Sequence, residues 1–411
     1  MSNKRYFHCV NAPFDLYFRL LLGVWIVLLL CSCSSLPIAD PPLPQPVPED
    51  VRSATAITEA AQVNEEWVVG FAAYIQNEQK KAHIPGLALA VVNSDGPLLL
   101  QGHGLRDVEK KLPVDADTLF HIGSTHKSMT ALLVATLVDA GALDWDTPVV
   151  KIAPDFSLSD ADTTKAVTFR HLLSMTSGIP DEAEEYLPDE PILDDVFDVA
   201  AKTELLGMPG EVFSYSNISA SLAGYLAVLA ADGNAGDLHD GYARLLRQRI
   251  LDPLGMTSAT VYVSEARRNS NHSLSYDTSG GTPETLESED TDDDVLAPAG
   301  SLKASAREMA LYMQMLVKGG VAPNGTRIVS EAALAEMWTP LLEEYGMGWE
   351  IVEVDGLRLV SHTGAYDGFV SVIGLLPDAK VGFVLLVNAE EGGGELTDDA
   401  AYQFAEYYKA R

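Results

Sequence analysis

The sequence predicts an α+β fold: an antiparallel sheet built from both chain ends with flanking helices, plus an inserted, mainly helical lobe. Two observations carry this. Apolar runs of strand length lie early in the body (residues 87–92 and 98–100) and again near its end (368–376 and 380–388). Between them the apolar residues recur at helical spacing, so strands and helices are segregated rather than alternating as βαβ units.

With 411 residues, 47% hydrophobic and 21% charged, the chain can bury a large core. The 27 Lys+Arg against 59 Asp+Glu give a formal net charge of −32, a surface that repels phosphate backbones and argues against a nucleic-acid partner. The three cysteines are Cys9, Cys31 and Cys33. The sequence beyond them therefore holds no disulfide, thiolate nucleophile or cysteine metal site.

Lys4, Arg5 and Arg19 precede an apolar run over 20–30, too short to span a bilayer of about 30 Å but suited to a signal-peptide core. It runs into Leu30-Cys31-Ser32-Cys33, which resembles the bacterial lipoprotein box. That resemblance implies cleavage before Cys33 and lipidation of its sulfur, with an uncleaved anchor or plain secretion as alternatives. Residues 1–33 are thus expected to be a signal peptide and 34–60 a linker, stiff and extended where IADPPLPQPVPED is rich in proline. The body, 61–411, would be exported, tethered to a membrane by lipid and held off its surface.

In the body, Val63, Trp67, Val68, Phe71 and Tyr74 recur at helical intervals until Pro85-Gly86. The runs at 87–92 and 98–100, with a turn at Asn93 to Gly96, predict a hairpin. Helices are expected at 128–139, 219–231, 241–250 and 306–318, within or beside a lobe of about 125–300. After the two late strands, joined by Pro377-Asp378-Ala379, a helix at 396–408 closes the chain. The charge run ETLESEDTDDD at 284–294 reads as a solvated loop without EF-hand spacing.

The histidines are scattered, with no H-E-x-x-H, and neither G-x-S-x-G nor a glycine-rich phosphate loop occurs. No metal site and no cofactor are expected. Ser124-Thr125-His126-Lys127, at the start of the strongest helix, places a lysine three residues after a serine. That spacing puts both on one helix face, at an N-terminus that favours developing negative charge. A neutral Lys127 could take the hydroxyl proton if burial lowers its pKa from about 10.4. Alone, a capping serine and a surface lysine is the commoner meaning of so short a pattern.

Tyr215-Ser216-Asn217 follows Pro209-Gly210 and precedes a helix. Residues two apart in an extended stretch point the same way, so a phenol able to relay protons and a hydrogen-bonding amide would share a cleft. A packed tyrosine with Asn217 as a helix cap is the plainer alternative. His362-Thr363-Gly364-Ala365 leads into the strand at Gly368. There the N–H of Ala365 could join that of Ser124 as an oxyanion donor, or His362 could be a strand histidine before a glycine turn.

In the order S-x-x-K, Y-x-N, H-T-G, the three elements resemble those of the serine β-lactamase and penicillin-binding-protein superfamily. The likeness is to the branch of class C β-lactamases, D-alanyl-D-alanine carboxypeptidases and related esterases. His171-Leu172-Leu173-Ser174-Met175-Thr176-Ser177-Gly178, Pro298-Ala299-Gly300-Ser301-Leu302 and Tyr345-Gly346-Met347-Gly348-Trp349 match too, and the resemblance spans about residues 65–409.

It implies acyl transfer: Ser124 attacks a carbonyl, Lys127 and Tyr215 share its proton, and the Ser124 and Ala365 amides hold the oxyanion. Asn217, His362, Thr363 and Gly364 would bind substrate, and His126 would stand aside. The third motif carries His362 where β-lactamases and carboxypeptidases commonly have lysine. A histidine, with an ordinary pKa of about 6.5, offers a substrate carboxylate no permanent cation. The expectation is therefore a cell-envelope serine hydrolase of small-molecule or peptide esters or amides. A β-lactamase or D,D-carboxypeptidase, and a catalytically silent binding protein, are the alternatives. The sequence gives no oligomeric state.

Overall fold

The apolar run beginning at Leu87 has its meaning in what covers it. In a computed structural model, which describes residues 65–232, 236–286 and 291–411, it lies in strand β1 (Gly86–Asn93) near the middle of a seven-stranded antiparallel sheet. Leu87, Leu89 and Val91 point into one apolar cluster and Ala88, Ala90 and Val92 into another. Both faces of the sheet are covered, so no polar alternation is needed along the strand.

The other strands are β2 (Gly96–Asp107), β3 (Leu112–Pro113), β4 (Glu350–Val354), β5 (Leu357–Tyr366), β6 (Phe369–Leu376) and β7 (Val381–Val387), in the spatial order β3-β2-β1-β7-β6-β5-β4. Strand β1 meets β7 with Leu87 opposite Val387 and Asn93 opposite Val381. The sheet is thus sewn together from the two ends of the body, as the sequence predicts. Strands β4 and β5 are additions to that expectation. They form a hairpin turning at Asp355 and Gly356, both at positive φ (52° and 84°), and charged and polar residues such as Glu353, Arg358 and Ser361 interrupt their apolar runs. The His362-Thr363-Gly364-Ala365 stretch accordingly lies within a strand of its own rather than before one.

On the outer face, α1 (Glu66–Lys81) packs against the C-terminal helix Gly393–Lys409. Trp67 and Phe71 meet Phe404 edge-on at 5.6 and 5.4 Å between ring centres, and Phe71 meets Phe383 of β7 at 5.4 Å. Phe71 is fully buried. Phe71→Ala is expected to cost about 3–5 kcal/mol, read as a lower urea midpoint at unchanged m.

Helices α2 (Lys127–Asp139), α3 (Asn217–Asp232) and α4 (Ala306–Val317) belong to the other face and the inserted lobe. The lobe's ends meet: Leu119–His121 pairs antiparallel with Lys303–Ser305, so the chain leaves and returns at one place. The helix expected at 241–250 is present and longer: it starts at Leu238, passes through a π-turn over Arg247–Leu251 and continues as Asp252–Leu254. Cys33, the lipoprotein box and the linker at 34–60 lie outside the described residues. Among the described residues no helix is long and apolar enough to cross a membrane, and no group of three or more His, Cys, Asp or Glu could hold a metal ion.

Candidate active site

Three segments of chain converge on Ser124. The first is its own: Gly123–His126 forms a 3₁₀ turn running into α2, with Ser124 half-buried while Thr125, His126 and Lys127 are buried. The second is β5, whose backbone packs against that turn. A Cβ placed on Gly364 would lie 2.4 Å from the Ile122 carbonyl oxygen and 2.8 Å from the Ser124 nitrogen. One on Gly123 (φ 52°) would lie 2.7 Å from the Ala365 nitrogen. The absence of side chains at these two positions lets the Ser124 and Ala365 amides approach one surface. Gly364→Ala is expected to push β5 away from the turn and cost about 1–3 kcal/mol of stability, checked by denaturant unfolding.

The third segment leads into α3. Met175, held at φ 59°, accepts from the Ser214 N–H at 2.9 Å through its carbonyl and from the Ser216 N–H at 3.4 Å through its sulfur. The stretch from His171 to Gly178 thereby buttresses Tyr215 and Asn217.

Lys127, 1% exposed, is the centre of the constellation. Its Nζ lies 2.9 Å from Ser124 Oγ, 2.6 Å from Asn217 Oδ1 and 3.0 Å from the Ala299 carbonyl oxygen. It also lies 4.7 Å from the centre of the Tyr215 ring. Three acceptors match the three protons of an ammonium. Burial nevertheless disfavours the charge and pulls the pKa down to about 7, opposed in part by Glu184 and Asp181. Near neutrality this amine is therefore a free base for a substantial fraction of the time.

Tyr215 behaves oppositely. Burial pushes its phenol well up, a hydrogen bond with Ser124 offsets part of the effect, and Glu350, Asp181 and Glu184 add to it. The phenol stays protonated at neutral pH. Its ring stands edge-on to Tyr345 at 6.2 Å.

His362 lies beside them with its ring turned into the protein, 3% exposed. Its Nδ1 is 2.5 Å from the Thr363 carbonyl oxygen and its Nε2 is 2.9 Å from the Tyr345 hydroxyl. The carbonyl can only accept, so Nδ1 carries the proton and the Tyr345 hydroxyl donates to Nε2. Burial, with Lys127 nearby, pulls this histidine down to about 3, so the ring is neutral. A direct side-chain contact from His362 to a substrate, expected from the sequence, requires the ring to leave these partners. Thr363 is half-buried and Ala365 exposed beside it. His126 is buried, neutral and bonded to the Tyr242 hydroxyl at 3.0 Å, away from Ser124.

Three contributors escaped the sequence reasoning. The Ala299 carbonyl and the Tyr345 hydroxyl lie within stretches that were singled out, but nothing in sequence assigns them partners. Glu184, whose Oε2 accepts from Asn217 Nδ2 at 2.7 Å, sits in a 3₁₀ turn, Asp181–Tyr186, that no motif in the sequence marks.

Comparison with known proteins bears on the family and the fold. A family model described as Beta-lactamase matches residues 71–407. Penicillin-binding protein 4 of Amycolatopsis lactamdurans is 31% identical over 330 residues, covering 77% of this chain and 84% of that protein. The octameric penicillin-binding protein homologue of Pyrococcus abyssi superposes with a TM-score of 0.68 at 25% identity, over 82% of this chain and 77% of that one. A class C beta lactamase from Rhodobacter sphaeroides shares the fold, with a TM-score of 0.65 at 23% identity over 82% and 99% of the two chains. A buried lysine on a helix-start serine, an antiparallel sheet closed by both chain ends and a match over most of the body lead to one conclusion: the chain belongs to the β-lactamase family.

Proposed function

We propose that the protein is a cell-envelope serine hydrolase that cleaves esters or amides through an acyl-enzyme on Ser124. The observation that carries this is the 2.9 Å approach of Lys127 Nζ to Ser124 Oγ, with the lysine buried and its pKa near 7. In this reading neutral Lys127 takes the hydroxyl proton as Oγ attacks the substrate carbonyl carbon, giving a tetrahedral oxyanion that the Ser124 and Ala365 amides stabilise. Tyr215, a protonated phenol bonded to Ser124, passes a proton to the leaving oxygen or nitrogen as its bond to the carbonyl carbon breaks, and is reprotonated from Lys127. Water then attacks the ester by the reverse relay, releasing the acid and restoring Ser124. Asn217, Thr363 and Gly364 line the substrate's path. Neutral His362 holds Tyr345, and through it the Tyr215 ring. Export and a lipid anchor at Cys33 complete the reading.

A second reading, a β-lactamase or D,D-carboxypeptidase, is favoured by the 31% identity to a penicillin-binding protein. A neutral, buried His362 in place of a cation weighs against tight capture of a substrate carboxylate. Assaying p-nitrophenyl esters, D-amino-acid peptides and nitrocefin on the wild type and on Ser124→Ala separates the two. Ester turnover that depends on Ser124 and exceeds nitrocefin turnover supports the first reading. Equal rates for both proteins would remove both.

A further inference from the structure

The geometry points to Glu184 as a positioning residue that locks the Asn217 amide so that, of the three groups bonded to Lys127, Ser124 alone can hand it a proton. This rests on the hydrolase reading above only for its catalytic consequence.

When Lys127 loses a proton it acquires one lone pair and keeps two N–H donors. The lone pair must face a group that can donate. The Ala299 carbonyl cannot, since it accepts only. Asn217 could, because a carboxamide presents NH₂ or oxygen depending on a half-turn about its last bond, and the two orientations fit the same space. Were its NH₂ toward Lys127, the amine would spend its lone pair on the amide, and the serine hydroxyl would have no base.

The Glu184 carboxylate forbids that half-turn. An ionised carboxylate accepts only, so the Asn217 edge 2.7 Å from Glu184 Oε2 must be Nδ2, and the edge 2.6 Å from Lys127 must be Oδ1. The two N–H donors of neutral Lys127 then go to Asn217 and Ala299, and the lone pair faces Ser124.

The turn that bears Glu184 is anchored, with Ala183 fully buried and the Asp181 N–H donating to Ser214 Oγ at 3.0 Å. The groups around Lys127 that bear on its titration are Glu184 and Asp181 from this turn, Tyr215 ahead of α3, His362 of β5 and the adjoining His126. Both histidines are neutral near pH 7, so the carboxylates supply the charge that opposes Lys127's loss of its proton.

The test uses the full chain with lysine side chains labelled with ¹³C, the Lys127 resonance being assigned by its loss in Lys127→Met. Glu184→Gln keeps the size of the side chain, removes the charge and lets the amide pair turn either way. It is expected to lower the Lys127 titration midpoint by about one pH unit. At pH 9, where Lys127 is neutral in both proteins, the variant's acylation by p-nitrophenyl acetate is expected to be about tenfold slower, with KM little changed. Asp181→Asn, which removes a charge but no bond to Asn217, is expected to lower the midpoint without slowing the pH 9 rate. An unchanged midpoint in Glu184→Gln, or a pH 9 rate equal to that of the wild type, overturns the assignment. If the wild type is not acylated at all while the midpoint still falls, the hydrolase reading fails and the electrostatic role of Glu184 stands.

Discussion

Ser124→Ala is expected to lower kcat for ester cleavage by a factor on the order of 10⁶, with the fold and the urea midpoint nearly unchanged. The size follows from the arrangement. Lys127 and Tyr215 both act on one oxygen, and the oxyanion that the two amides hold forms only when that oxygen attacks, so removing it leaves nothing for any of them to act upon. Such groups are strongly non-additive, and a second change at Lys127 in the Ser124→Ala background is expected to add little. Ser124 is half-buried and α2 is held by the buried residues that follow it, so deleting one hydroxyl leaves the packing intact. Steady-state kinetics on p-nitrophenyl acetate with both variants checks this, and a kcat within tenfold of the wild type would show that Ser124 is not the attacking group.

Lys127→Met is expected to separate catalysis from stability. Loss of the base should lower kcat/KM by about 10²–10⁴. Lys127→Arg should not restore it, because a guanidinium stays charged throughout the accessible pH range. In the wild type, kcat/KM should fall about tenfold per unit below pH 7 and level off above it, because the neutral amine is the active form.

The same depressed pKa has the opposite sign for folding. An unfolded lysine holds its proton to about pH 10.4 and the folded one only to about 7, so between these values the unfolded state binds more protons. The penalty for burying the ammonium is complete below pH 7 and is relieved as the pH rises above it. Relative to Lys127→Met, the wild type should therefore gain up to about 1.4 kcal/mol per pH unit above 7. Urea titrations of both proteins at pH 6 and 9 check this. A stability difference independent of pH would mean that Lys127 keeps an ordinary pKa.

What the sequence revealed and what it hid have the same physical origin. Strands β1 and β7 were legible because both of their faces are buried, which writes an unbroken apolar run into the chain. The β4–β5 hairpin was not, since charged residues such as Glu353 and Arg358 punctuate it. Ser124 and Lys127 could be paired because three residues along a helical turn is a local relation. Tyr215 and Asn217 could be placed together by strand-like spacing. Glu184 reaches Asn217 only through tertiary folding, and a carboxylate in an acidic stretch looks the same whether it faces water or an amide. The direction of the His362 ring was equally hidden, because it is set by Tyr345 arriving from another loop. The segment bearing Cys33 lies outside the described residues, and its lipidation remains a proposal for mass analysis of the membrane-extracted protein.

Peptide mapping of the protein quenched in acid during turnover of a slow ester tests the central claim most directly. The account predicts the mass of the acyl group on the peptide containing Ser124, appearing faster as the pH rises through 7 and missing in Ser124→Ala. An acyl group on another residue, or turnover with no covalent adduct under single-turnover conditions, would contradict it.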